Sequence, residues 1–141
     1  MTKVWHENKL NSNKKGELLM KNQVVKVEYS TWAQASPEII YKVLVGNGEH
    51  VKVSLNRLGE EWCCLRSRRR FLKRFNLIHV EKWQNEYIND CVTDGNQWQL
   101  KVEYQDGKVK EVYGSNHYPK GYNRLRNLFD QIFLADPLPV I

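Results

Sequence analysis

Between Gln23 and Ser30 the chain alternates, with Val25, Val27 and Tyr29 on one side and Lys26, Glu28 and Ser30 on the other. A period of two is that of a half-buried strand. Thr31 to Pro37 reads as a loop, broken by Pro37. Two β-branched runs follow, Glu38–Val45 and His50–Asn56, joined at Gly46-Asn47-Gly48. Asn-Gly adopts positive φ at low cost, so this junction predicts a hairpin. In the second run Val51, Val53 and Leu55 point inward and Lys52, Ser54 and Asn56 outward.

The period changes at Ser67, a candidate N-cap for a helix over 68–75. At about 100° per residue, Phe71, Leu72 and Phe75 share one face and Arg69, Arg70, Lys73 and Arg74 the other. Residues 76–93 fit no single period; Trp83, Tyr87 and Ile88 suggest a packed connection or a short strand. Gln97–Tyr104 alternates again, and Asp106-Gly107 turns it into Lys108–Tyr113. Pro119 suits the first turn of a final helix, whose buried stripe is Tyr122, Leu125, Leu128, Phe129, Ile132 and Phe133, and Pro137 ends it.

The order β-β-β-α-β-β-α predicts an α+β domain: an antiparallel sheet of about five strands with two helices packed on one face. The other sheet face carries Lys26, Glu28, Lys42, Lys52, Gln97, Gln99, Lys101 and Glu103, all expected to meet water.

With 141 residues, one domain over 20–141 can bury a core without staples. Residues 1–19 differ: Thr2–Glu17 is polar, rich in Asn and Lys, and without period, as in a disordered tail. A second reading concerns Lys15-Gly16-Glu17. AAA-GGA-GAA would encode it and supply a purine-rich ribosome-binding site at a normal distance before Met20, which makes Met20 a candidate start and 1–19 an untranslated leader.

A net charge of +6 favours polyanionic partners, nucleic acid or acidic protein surfaces, although 16 acidic residues are interspersed. Cys63, Cys64 and Cys91 are odd in number and lack C-x-x-C spacing, as expected of reduced thiols in a cytoplasmic protein. The chain has neither an apolar run long enough to span a bilayer nor the apolar stretch of a secretory signal.

Asp94-Gly95-Asn96-Gln97-Trp98, the following hairpin, and Gly114-Ser115-Asn116-His117-Tyr118-Pro119 resemble a pattern in small uncharacterised bacterial and phage α+β proteins. The resemblance spans about residues 23–135, with Trp83 preceding the Asp-Gly turn. It implies the fold and a bacterial, phage or mobile-element origin, and it transfers no activity to any residue.

Arg66, Arg68, Arg69, Arg70, Lys73 and Arg74 form the sharpest functional feature. Guanidinium forks present paired donors that match phosphate and carboxylate. The expected anionic-partner site is therefore Arg66, Arg69, Arg70, Lys73 and Arg74, unless Glu60, Glu61 or Glu81 neutralise them as in an ordinary solvated helix face. Ser115, Asn116 and His117 are a secondary candidate: capping is the ordinary role of Ser115 or Asn116 and anion binding at a helix start the alternative, while His117 is a packing or surface histidine unless a nucleophile or carboxylate makes it an acid or base. Cys63, Cys64, His79 and Cys91 lack zinc spacing, so no metal or cofactor is expected.

These features predict a non-enzymatic interaction module for an acidic protein or other anionic partner. The alternatives are a nucleic-acid-binding protein, a phage-borne inhibitor of a host defence protein, and an enzyme assembled only in three dimensions. Aromatics on the open sheet face would favour nucleic acid. A pocket holding His79 or His117 with a carboxylate would favour an enzyme.

Overall fold

The computed structural model describes residues 23–91 and 95–134. The 1–19 segment with the candidate start at Met20, the turn at Asp94, and Pro137, expected to end the last helix, lie outside the described residues. The strands are β1 (Val24–Ala33), β2 (Ser36–Val45), β3 (His50–Arg57), β4 (Glu60–Ser67), β5 (Glu86–Ile88), β6 (Asn96–Tyr104) and β7 (Val109–Ser115). The helices are α1 (Arg68–Asn76) and α2 (Tyr122–Leu134). All seven strands form one sheet, in the order β4-β3-β2-β1-β6-β7-β5.

The α+β class and the two helices agree with the sequence pattern, but the sheet of five antiparallel strands is corrected. It has seven strands and is mixed, because β5 runs parallel to β7. The expected loop at 31–37 is instead a hairpin turned at Gln34-Ala35. Pro37 sits inside β2, beyond Ile39↔Arg57, the last pair that β2 makes with β3. On that side its missing N–H costs no ladder bond.

Val25 is also reassigned. Val24 pairs with Tyr104 and Lys26 with Glu103, so Val25 is the extra residue of a β-bulge. The bulge resets the alternation, and Val24 rather than Val25 joins Val27 and Tyr29 in the core.

Both helices cover the face bearing Val27, Tyr29, Val43, Leu100 and Val102. The Phe129 ring of α2 lies 5.2 Å from Tyr29 and 5.2 Å from Tyr41, and Phe71 of α1 packs on Phe129 at 6.5 Å. Deeper along α2, Tyr122 meets Trp98 at 4.7 Å and donates or accepts at Tyr29 across 2.5 Å. Trp98 is fully buried, and its Nε1 donates to His117 O at 3.1 Å. Gly114 lets this indole lie flat on β7: a Cβ there would stand 1.9 Å from Trp98 Nε1.

The opposite sheet face is polar, as expected, and largely self-neutralised. Glu28 lies 3.2 Å from Lys26 and 3.6 Å from Lys42, and Lys101 lies 4.0 Å from both Glu103 and Glu111. Partial burial pushes the Glu28 carboxyl up, and the two lysines more than offset it, leaving it below its usual range. Trp32 and Tyr113 also lie half-buried on this face, with ring centroids 6.5 Å apart.

Candidate anion-binding face

Ser67 ends β4 in extended conformation and caps α1, accepting from Arg70 N at 3.2 Å. Phe71 and Phe75 anchor the helix, stacked at 5.7 Å and buried against the sheet. With those positions fixed, the 3.6-residue period turns Arg69, Arg70, Lys73 and Arg74 to solvent.

The cations do not all play one part. Arg66, on β4, donates from Nε to Ile132 O at 2.6 Å and from Nη1 to Leu65 O at 2.9 Å. It thereby ties the strand to the last turn of α2, where a positive charge meets the carbonyl end of the helix dipole. Arg68 Nε holds Gly46 O at 2.6 Å, and Arg74 bridges to Gln131 Oε1 on α2 at 2.9 Å. Arg69, Arg70 and Lys73 have no side-chain hydrogen bond or ion pair among the described residues. The acids expected to neutralise them do not: Glu81 pairs with His79, and Glu61 accepts from the Cys63 thiol at 3.5 Å.

Charge is unevenly placed between the two sides of the molecule. α1 holds five cations and no acid, and α2 holds Arg124 and Arg126 against Asp130. The helical layer thus carries a formal +6, while the other described residues hold 10 cations and 11 acids and nearly cancel. The sequence reading missed the contribution of α2. Arg124 reaches Leu77 O at 3.4 Å, which places it beside the end of α1.

Local electrostatics oppose this arrangement. The first turn of α1 contains no acid and three arginines, at the end where the dipole favours negative charge. Arg69 with Lys73, and Arg70 with Arg74, are like charges at i,i+4 spacing.

Ser115, Asn116 and His117 do not cap a helix. α2 starts at Tyr122, whose N–H donates to Pro119 O at 3.1 Å, and Pro119 lies before the helix. Ser115 ends β7 and accepts from Asn89 N at 2.9 Å. Asn116, at φ 55°, donates its N–H to Asn96 O at 3.0 Å, and its amide packs against Gly95. His117 is exposed, with its ring 5.7 Å from Tyr87. The segment fastens β5, β6 and β7 together.

A groove of about 870 Å³ opens beside α1, walled by Val24, Leu72, Phe75 and Tyr104. Burial raises the Tyr104 phenol, with Glu81 and Asp106 adding to it. His79 Nδ1 and Glu81 Oε1 stand 3.0 Å apart at the rim, both more than half exposed. No Ser, Cys or Thr is among the described residues that line the groove; Lys108 and Lys110 line it with Tyr104. Among those residues no three His, Cys, Asp or Glu side chains gather as a metal site, and no helix is long and apolar enough to cross a membrane.

Comparisons with protein-family models, with curated proteins and with solved structures found no match.

Proposed function

We propose that this chain is an interaction module that docks an acidic protein surface on its helical layer, chiefly through Arg69, Arg70 and Lys73. One observation carries the reading: these three side chains are exposed and, among the described residues, unpaired on the helical layer, whose formal charge equals the net charge of the chain. Arg66, Arg68 and Arg74 set the geometry of that layer and contribute field more than contact. Complementary potentials of this kind speed encounter and select partners, more than they fix final affinity.

Nucleic-acid binding is the second reading. It is favoured by the guanidinium groups, whose paired donors also suit phosphate. The Trp32–Tyr113 pair weighs little for it, because it lies on the opposite side of the sheet, where Lys26, Lys42 and Lys101 are already paired. Stacking and backbone contacts would then fall on different faces.

The test is a salt series with polyglutamate, single-stranded DNA and RNA, and duplex DNA, using the chain and a variant with Arg69, Arg70 and Lys73 all changed to Ser. Binding of polyglutamate that the triple variant loses while still folded supports the first reading. Three phosphate contacts on duplex DNA would give a slope of about −3 in log K against log salt, and that slope with no polyglutamate binding would put nucleic acid first. Failure to bind any polyanion at low salt would refute both.

A further inference from the structure

The sheet ends in two unlike edges. β5 is three residues long and is flanked by the Asn89 N to Ser115 O bond and by the Ile88↔Asn116 bridge. β4 is eight residues long and, among the described residues, is bonded on one side only, to β3. Long unpaired edges invite a further strand, and folded proteins usually shorten or cover them.

The β3–β4 turn decides which groups of β4 face outward. Leu58 at φ 56° and Gly59 at φ 79° form a two-residue turn with both central residues left-handed, a type I′ geometry. Its closing pair, Arg57↔Glu60, is hydrogen-bonded, and bonded and non-bonded pairs alternate from there. Glu60, Trp62, Cys64 and Arg66 therefore direct N–H and C=O toward β3, and Glu61, Cys63 and Leu65 direct theirs away from the sheet. Leu65 O already accepts from Arg66 Nη1 and retains a second lone pair.

Charge along β4 is polar. Glu60 and Glu61 begin the strand, Arg66 lies near its end, and Arg68 opens α1 just beyond. An antiparallel copy sets acid against base at both ends, whereas a parallel copy sets like against like. Trp62, 46% exposed, and the exposed Cys63 lie between the charges, so the middle of the edge is its apolar part.

We propose that two copies of this chain pair through β4, antiparallel about a two-fold axis at Cys63, making one sheet continuous across both. In this register Glu61 and Leu65 exchange hydrogen bonds with Leu65 and Glu61 of the second copy, and Glu60 lies opposite Arg66. Trp62 packs over Cys64 of the second copy. Directly opposed residues point to the same sheet face, so both helical layers lie on one side. The pairing is independent of what those layers bind.

Sedimentation velocity of the full chain over a micromolar series should show twice the chain mass at the upper end. Cys63→Pro removes an N–H that points away from β3, so it should leave the circular dichroism spectrum and melt in place and return the mass to one chain. Cys64→Pro, which breaks a β3 ladder bond, should lower the melt instead. A Cys64→Ser, Cys91→Ser variant should form a disulfide dimer on mild oxidation, because Cα atoms in such a pair stand about 5.5 Å apart, within disulfide reach. This second arm holds even if Cys63→Pro fails to fold. A monomer at every concentration, a dimer that survives in folded Cys63→Pro, or no Cys63 cross-link would each overturn the proposal.

Discussion

Arg70→Glu should stabilise the fold and weaken anion binding together. Arg70 is the third residue of α1, after the Ser67 cap, where an acidic side chain reaches back to the N–H of the cap residue as a capping box. The change replaces a cation that the helix dipole disfavours with an anion that it favours, worth about 1 kcal/mol for the reversal. It also converts a repulsive i,i+4 pair with Arg74 into an attractive one, in the better order of acid before base, adding roughly 0.5 kcal/mol. A gain of about 1.5 kcal/mol corresponds to a rise in Tm of roughly 5 °C for a domain of this size. The assay is thermal unfolding at low ionic strength, repeated near 1 M salt, where a Debye length of about 3 Å should remove most of the gain. Arg70→Ser should fall between the two. A Tm that is unchanged or lower at low salt would refute the claim that the charges on α1 oppose its own folding.

Gly114→Ala should be among the most damaging single changes, because the new Cβ at 1.9 Å forces the Trp98 indole back and breaks its bond to His117 O. Overpacking and a stranded buried donor together should cost about 3 kcal/mol in chemical denaturation. Burial pushes the Tyr29 phenol up to about 12 and moves Tyr122 in the same direction, so the folded state holds protons that the unfolded chain releases near pH 10. Stability from this pair is present below pH 10 and is lost as pH rises toward 12; the Tyr29→Phe, Tyr122→Phe double variant should show a flatter alkaline limb in denaturant titrations. Leu58→Asn should raise Tm, since a left-handed Leu that is 77% exposed is replaced by a residue suited to that conformation.

What could be read along the chain was whatever repeats locally. β6 alternates because the helices cover one of its faces and water the other, and α1 shows its stripe because Phe71 and Phe75 sink into the core. β4 escaped notice because its first half, at the edge of the sheet, does not alternate: Glu60, Glu61, Trp62 and Cys63 are all exposed. Its turn was hidden as well, since Leu is a rare choice for positive φ. β5 is a strand only because β7 lies beside it, and three residues leave no periodic trace. The same limit divided the basic cluster. Spacing placed the cations on one face, but the bonds of Arg66 to Ile132 and of Arg74 to Gln131 join residues 66 and 57 positions apart.

The two halves of the molecule obey their local rules unequally, and that difference supports the proposed site more than charge alone does. Around Trp98, each requirement agrees with its neighbours: Gly114 makes room, His117 O receives the indole N–H, and Tyr122 closes the cluster. On α1 the requirements conflict, because the apolar stripe and the Ser67 cap favour the helix while its charges oppose it. Among the described residues no acid compensates this conflict, and the proposed anionic partner would relieve it. The neutral open face of the sheet has no such need. Under the proposed function a partner would be drawn to the helical side, where its acids would meet the exposed face of α1. Recognition of the proposed kind would rest on the spacing of Arg69, Arg70 and Lys73, on a helix that the buried Phe71 and Phe75 hold against the sheet.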